Sequence, residues 1–500
     1  MKTKPMDHQR QGLARMQGRE YFALFAEQGT GKTWMFLADA ERLYAAGKID
    51  SLLIVAPKGV HINWIRREIP AHLEAPHIAA FYASGASKRQ QRLTEAVFAP
   101  RDVGNVPLLR VLSINVEALI TKAGRAVAER LLRATRCMMV IDESSRIKNP
   151  TAERTKVIHR LGLLAAYRRI GTGTPITNSP VDAFAQFEFL ESGLLGTTSY
   201  RSFVAEYAEL LPPNNNLVKH IRGANANAQP QIVARDALGR PKWRNLDKLQ
   251  RLIEPHSYRV LKKDCLDLPE KLYTTRYFHL TPALRGIYDE LDANLRIELD
   301  GETNTVTALG ALVKLQQVTS GFVMMAGETR LLSVADNPRM EALLDVVRDM
   351  HDQQFIVWAR FREELQQIAA ALRAEGIVAV EYHGGTSTKA RDAAVDDFQA
   401  GRARAFVGQP QSGGIGLTLT AARHVVYYSN DFSLETRLQS EDRAHRIGTR
   451  EHVLYTDLAA VDTLDETIAR ALQFKENLAS AILGDYTGRR RQAVVSEPEL

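Results

Sequence analysis

Short apolar runs rich in β-branched residues recur along the chain, each followed by a stretch with helical periodicity. In the first half these runs are Leu52–Ala56, Leu109–Ile114 and Met138–Ile141, with a further strand ending near Ile170. In the second half they are Phe355–Ala359, Val378–Tyr382, Ala405–Val407 and Val425–Tyr428. Apolar strands alternating with helices predict parallel sheets buried on both faces. Two groups of strands, far apart in sequence, predict two α/β lobes. Between them residues 182–330 read as mostly helical; in Pro282–Leu299, Leu284, Ile287, Leu291 and Leu295 fall on one helical face. Pro212–Asn216 and the Ala/Asn-rich stretch 223–229 read as a loop or mobile insertion, and Arg489-Arg490-Arg491 as a solvated tail.

Composition narrows the class. The 500 residues suffice for two or three domains, and 45% apolar with 25% charged residues is the profile of a soluble globular protein. No apolar run reaches the ~18–20 residues a membrane helix needs, and Met1–His8 lacks the apolar stretch of a secretory signal. Cys137 and Cys265 are the only cysteines, which excludes a disulfide framework and a cysteine-based zinc site. The expected location is the cytoplasm, or the nucleus or host cytoplasm for a eukaryotic or viral source. A net charge of +7 suits a polyanionic partner but does not by itself single out nucleic acid.

The most specific local pattern is Ala26-Glu27-Gln28-Gly29-Thr30-Gly31-Lys32-Thr33, followed by the helical pattern of Trp34–Tyr44. Gly29, Thr30 and Gly31 form a turn whose backbone N–H groups can cradle phosphate, and the helix N-terminus adds a favourable dipole. Lys32 is then placed to reach the β- and γ-phosphates of ATP, and the Thr33 hydroxyl to hold magnesium. Ala26 stands where the general pattern has its first glycine; the plain alternative is a glycine-rich turn before a helix. About 110 residues on, the strand Cys137–Ile141 ends in Asp142-Glu143. Carboxylates at a strand's C-terminal end lie where α/β sheets bind ligands. Asp142 can hold magnesium and Glu143 can orient and deprotonate an attacking water, though an acidic pair there is often just a cap. Gly171–Asn178 is a phosphate-sensing loop or a tight turn. Arg443 and Arg446, three apart, would share one face of a helix; they are ordinary surface charge or, opposite a phosphate loop, arginine fingers.

At this point the chain resembles the superfamily-two helicase-type ATPases of the Swi/Snf group, the chromatin-remodeller-like DNA translocases, in their compact bacterial or phage form. The resemblance runs over roughly residues 5–485. Asp7-His8-Gln9 resembles the opening element whose glutamine reads adenine, which implicates Gln9. Leu53–Pro57, with Trp64 and Glu68 after it, is similar to a motif that touches the DNA backbone, so Pro57 and Lys58 are implied contacts. By the same resemblance Ser113 in Val111–Asn115, Thr174 in Thr172–Asn178, Gly385 in His383-Gly384-Gly385, and Gly414 and Thr418 in Ser412–Leu419 face nucleic acid. Tyr258–Asp264 with Leu268–Lys271 resembles the group's bridge into the second lobe. Arg391, Phe398 and Gln439–Gly448 complete the pattern, with Gln439 at the nucleotide. The chain departs from the group at Ser145, where many members have histidine, at Thr418 for asparagine, at Thr449 for glutamine, and at Asp431-Phe432-Ser433 for an Asp-Trp-Asn sequence.

The resemblance implies two RecA-like parallel-sheet lobes of the P-loop NTPase class with a mostly helical insertion between them. Residues 1–195 would be the ATP-binding lobe, 196–335 a helical protrusion and linker including the bridge 258–271, 336–485 the second lobe and 486–500 a tail. It implies ATP and Mg2+ as cofactors and double-stranded DNA as partner, a monomer without membrane attachment, and a protein partner for targeting. The expected activity is ATP hydrolysis at the interface of the lobes, with Lys32 and Glu143 on one wall and Arg443 and Arg446 on the other, driving translocation along duplex DNA. A strand-separating DNA or RNA helicase shares the same ATP site. A non-catalytic nucleotide switch would not need Glu143 or the arginines, all of which are present.

Overall fold

The structure, a computed structural model, describes residues 1–485 except 100–101, 104–105, 217, 220–230, 301–304, 326–327, 333–335, 412–416 and 450. The Ala/Asn-rich stretch 223–229, Gly414 and Arg489–Arg491 therefore lie outside the described residues.

Seven strands pair in the first part of the chain: β1 (Tyr21–Ala26), β2 (Ser51–Ala56), β3 (His77–Phe81), β4 (Leu109–Asn115), β5 (Cys137–Asp142), β6 (Tyr167–Gly171) and β7 (Ser257–Val260). They lie in the order β3-β4-β2-β5-β6-β1-β7, every pair parallel. Every residue of β2 and β5 is buried, which is why these strands read as unbroken apolar runs. Six more strands form a second parallel sheet: β8 (Lys271–Phe278), β9 (Phe355–Trp358), β10 (Ala379–Tyr382), β11 (Ala405–Gly408), β12 (His424–Tyr427) and β13 (Val453–Ala460), in the order β8-β13-β12-β9-β11-β10. The two expected parallel-sheet lobes are thus present. Residues 1–266 with those from 475 onward form one unit and residues 267–474 the other, so the long helix Leu464–Leu483 changes unit at Phe474. Among the described residues no helix is long and apolar enough to cross a membrane.

Among the described residues, helices dominate the regular structure of the stretch expected to be mostly helical: Asp182–Leu190, Tyr200–Tyr207, Leu246–Ile253, Pro282–Asp300 and Thr305–Thr319. The same stretch also holds β7, β8 and a hairpin of Phe322–Met325 with Glu328–Leu331. The strand β8 escapes detection because six of its eight residues are exposed, so it has no apolar run. In the helix Pro282–Asp300, Leu284 and Tyr288 are buried and Leu291 is partly so, whereas Ile287 is 42% exposed. The buried stripe is therefore Leu284, Tyr288 and Leu291, spaced i, i+4, i+7, and Ile287 sits beside it. The Leu295 side chain lies outside the described residues.

Beneath the first sheet's ligand-binding end sits a buried ion pair. Arg169, on β6, is fully buried and its Nε donates to Asp39 Oδ2 at 2.9 Å; Asp39, in the helix Lys32–Ala45, is fully buried as well. Arg169 also donates to the carbonyls of Glu20 (2.7 Å) and Arg19 (2.9 Å), and Arg42 donates to the other Asp39 oxygen at 2.6 Å. This pins the helix that begins with Lys32 to the middle of the sheet. Removing one partner of such a pair leaves a buried charge uncompensated. Asp39→Ala should destabilise the first unit by about 3–5 kcal/mol in urea unfolding; a loss under about 1 kcal/mol, the range of exposed pairs, would show that Arg169 finds other compensation.

Candidate nucleotide site and arginine turn

In the order of the first sheet, β5, β6 and β1 are neighbours, so the segments leaving their C-terminal ends converge. From β1 the chain makes a tight turn in which Gly29 and Gly31 have φ of 85° and 86°, then enters the helix Lys32–Ala45. Gly31 is required twice over, since a Cβ there would stand 2.0 Å from Gln9 Nε2. Gln9 is buried against this turn: its Oε1 accepts from Met6 N at 2.9 Å and its Nε2 lies 3.5 Å from Thr30 O. His8 Nε2 donates to the same carbonyl at 2.7 Å. Thr30 Oγ1 donates to Glu27 O at 2.8 Å, closing the turn on itself. Lys32 is 9% exposed and its Nζ donates to Ala26 O at 2.6 Å, so the ammonium lies folded over the loop. Thr33 follows it, half-buried in the first helical turn.

Asp142 and Glu143 close β5, and both are buried. Burial pushes the Asp142 carboxyl above the usual carboxylate range, while the nearby Lys32 ammonium and the Trp64 N–H oppose that shift. Trp64 Nε1 donates to Asp142 Oδ2 at 2.9 Å. Glu143 has φ 57° and ψ 61°, a left-handed backbone unusual for a carboxylate residue, which turns its side chain toward β6. There Thr172 Oγ1 donates to Glu143 Oε2 at 3.0 Å and accepts from Thr174 N at 3.2 Å. The loop after Thr172 is tied down by Asp182, whose Oδ2 accepts from Thr177 N (2.9 Å), Thr177 Oγ1 (3.0 Å) and Asn178 N (2.8 Å). Ser144 donates to Gln186 Oε1 at 2.7 Å and Ser145 is buried, so the segment after the acidic pair faces inward.

In the second unit Gln439 and Arg443 lie on the helix Leu434–Ala444. The helix ends there, so Arg446 does not share a helical face with Arg443 as expected. Thr449 explains the break: its Oγ1 donates to Ala444 O at 2.7 Å and accepts from Arg446 N at 3.2 Å, holding residues 444–449 in a turn. Arg446 Nη1 donates to Leu417 O at 3.2 Å and Leu419 N to Arg443 O at 2.9 Å, so both arginines are braced on the segment that carries Thr418. Under the helix lies a charged network. Glu441 accepts from Lys271 Nζ (2.9 Å), Tyr273 OH (2.8 Å) and Arg437 Nε (2.8 Å), and Arg437 Nη2 also reaches Asp457 at 3.1 Å. Burial would raise the Glu441 carboxyl, but Lys271 and Arg437 prevail and hold it at about 2. His445 Nε2 donates to Pro269 O at 2.7 Å. Lys271 and Pro269, expected to belong to the bridge, thus position the arginine turn.

The structure brings Gln9, from the helix Asp7–Met16, against the turn Gly29–Gly31 that leads into Lys32 and Thr33, and sets the Lys32 ammonium near Asp142. Of the residues expected at nucleic acid, Lys58 and Gly385 are exposed and Thr174 and Thr418 half-buried. Ser113 is corrected: it is fully buried in β4, with no surface for a phosphate backbone to meet. The Pro57 side chain is buried too, which leaves Lys58 as the exposed group of that pair. Trp64 as the partner of Asp142, Thr172 as the partner of Glu143 and Asp182 as the anchor of the loop were not foreseen. Only Asp182 carries a local signal, an acidic residue opening a helix just after a polar turn.

A glycine loop, lysine and strand-end carboxylates at the C-terminal edge of a parallel sheet define a P-loop nucleotide-binding fold. Residues 8–336 match the SNF2-related domain family and residues 338–448 the helicase conserved C-terminal domain. The chain belongs to the SNF2-related family. It is similar to the DNA excision repair protein CSB of Oryza sativa subsp. japonica, 26% identical over an alignment 498 residues long that covers 93% of this chain and 40% of that one. It is also similar to the DNA annealing helicase and endonuclease ZRANB3 of Mus musculus, 26% identical over an alignment 509 residues long, gaps included, that covers 100% of this chain and 42% of that one. Among solved structures, the SWI2/SNF2 ATPase core of Sulfolobus solfataricus in complex with dsDNA aligns over 97% of this chain and 94% of its own, with TM-score 0.40 and 22% identity. The chain spans less than half the length of these two curated relatives.

The Glu441 network has a pH signature. A carboxyl held at about 2 in the fold adds stability that is fully present above its ordinary value near ~4.3 and is lost as pH falls toward 2. Glu441→Gln should therefore unfold at lower urea than the native chain at pH 7, with the gap narrowing near about pH 3. An equal gap at both pH values would contradict the assignment.

Proposed function

We propose that this chain hydrolyses ATP and turns the cycle into movement along double-stranded DNA. The observation that carries the reading is the buried set of Lys32, Asp142 and Glu143 behind a glycine turn, in a chain of the SNF2-related family. An incoming triphosphate replaces Ala26 O as the partner of the Lys32 ammonium, and the backbone N–H groups of residues 29–33 take its oxygens. Glu143, aimed by Thr172, orients the attacking water and accepts its proton as the γ-phosphorus–oxygen bond to ADP breaks. The Thr33 hydroxyl and the Asp142 oxygen not bonded to Trp64 are hard oxygen donors that fit Mg2+, an ion that keeps several waters and takes few protein ligands. Bound there, it would neutralise charge on the β- and γ-phosphates. Gln9, which lies against Thr30, is assigned to the adenine and Gln439 to the nucleotide, both on the family pattern. Arg443 and Arg446 are assigned to the charge that develops on the transferred phosphoryl group.

Movement requires a grip that tracks the backbone, not the bases. Lys58, Thr174, Gly385 and Thr418 are small or basic groups at or near the surface, suited to phosphate contacts that carry no sequence information. A net charge of +7 favours the same partner through counterion release.

Turnover measured side by side with no nucleic acid, duplex DNA, single-stranded DNA and RNA should rise most with duplex DNA. Greater stimulation by single strands or RNA would favour a strand-separating helicase instead. Lys32→Ala should abolish turnover while duplex binding survives. Glu143→Gln should bind ATP yet hydrolyse it about 10²–10⁴-fold more slowly, the usual worth of a general base; near-normal hydrolysis would mean that another group activates the water. Arg446→Ala should lose about 10³-fold or more in turnover with ATP affinity changed far less, and parallel losses would move Arg446 from the chemical step to binding.

A further inference from the structure

The helix Leu464–Leu483 ends in a motif that aims one carboxylate at the nucleotide site's supporting shell. Gly484 has φ 74°, and Asp485 N donates to Ser480 O at 3.0 Å, the closing bond of a left-handed glycine cap. A side chain at Gly484 would be strained by the φ of 74°, and its Cβ would stand 2.5 Å from Gln250 Nε2, which would have to shift. The cap delivers Asp485 to Arg259, where both carboxylate oxygens accept, Oδ1 from Nε and Oδ2 from Nη2, each at 2.9 Å. The pair is partly shielded, with side chains 20% and 11% exposed. A two-point fork of this kind fixes the plane of the guanidinium, not just its charge.

The remaining arm of Arg259 faces the site. Its Nη1 donates to Gly173 O at 2.9 Å and to Phe25 O at 3.3 Å. Phe25 precedes the phosphate loop by one residue of β1, and Gly173 directly follows Thr172, the hydroxyl that holds Glu143. The same helix touches this loop a second time, where Lys475 Nζ donates to Asn178 Oδ1 at 2.9 Å. A continuous line of contacts therefore runs from Asp485 through Arg259 to the Gly173 carbonyl, and on through Thr172 to the carboxylate of Glu143.

The geometry points to Arg259 and Asp485 as a positioning couple for ATP hydrolysis: Asp485 orients Arg259, and Arg259 holds the Thr172–Gly173 loop so that Glu143 is correctly aimed. This inference rests on the proposed ATP hydrolysis. Both act through other groups: Asp485 through Arg259, and Arg259 through the Gly173 carbonyl. Losing Asp485 frees the guanidinium to turn into solvent and releases the carbonyl that sets the Thr172 hydroxyl.

The test uses the full chain with duplex DNA, and reads kcat, the KM for ATP and the melting temperature together. Asp485→Asn and Arg259→Gln should each lower kcat about 10- to 100-fold, the scale of a small misplacement relayed from outside the reacting groups, with KM for ATP changed less than about twofold and melting unchanged. Gly484→Ala keeps the carboxylate but misplaces it, and should reproduce the kcat loss. In the double variant Asp485→Asn/Arg259→Gln, the two losses should not multiply, because both break one link. Full kcat in Asp485→Asn would overturn the couple while leaving the ATPase reading intact. Multiplying losses, or a KM that rises as kcat falls, would also overturn it. A native chain that hydrolyses no ATP under any condition would instead remove the reading beneath it.

Discussion

An ammonium and two carboxylates buried at one sheet edge set the terms for the whole first unit. Charges withdrawn from water persist only where opposite charge and hydrogen bonds replace the lost hydration. Burial pushes Asp142 toward its neutral form; Lys32 and the Trp64 N–H oppose that. Thr172 does the corresponding work for Glu143, donating to a carboxylate carried on a left-handed backbone. On the proposed function, a triphosphate would bring negative charge to the lysine, and its counter-cation would bring positive charge to the carboxylates.

The second unit solves a similar problem with the opposite sign. Its arginine turn stands over Glu441, Arg437, Asp457 and Lys271, a network in which each buried charge has at least one opposite neighbour. The segment between the two sheets serves both ends. Arg259 and Lys262 N bond the first unit's loops, at Gly173 and at Glu27 (2.7 Å), while Pro269 and Lys271 bond the arginine turn. Residues 259–271 thus carry contacts to the shell of Glu143 at one end and to the shell of Arg443 at the other.

What the sequence makes legible is what local rules govern. Fully buried parallel strands announce themselves as apolar runs, so β2, β4, β5 and most of the second sheet stand out, as does the glycine turn. β8 does not, since exposed side chains leave it without an apolar signal, and β7 hides inside the polar bridge motif. The spacing of Arg443 and Arg446 suggests one helix face because spacing cannot register the Thr449 hydroxyl that ends the helix. Ser113 passes for a surface contact because its burial depends on the strands on either side. The partners of the two strand-end carboxylates, Trp64 for Asp142 and Thr172 for Glu143, lie 78 and 29 residues away in sequence and meet them only through sheet order. Asp485 lies 226 residues from Arg259, beyond the reach of any local pattern.

The central claim is movement along duplex DNA powered by the Lys32–Asp142–Glu143 site, and displacement of a third strand bound in the major groove of a duplex reads that movement without requiring strand separation. The native chain should displace the third strand only when ATP is hydrolysed, and Glu143→Gln should leave it in place. Displacement that proceeds equally without hydrolysis, or no displacement by a chain that hydrolyses ATP vigorously on the same duplex, would contradict the account.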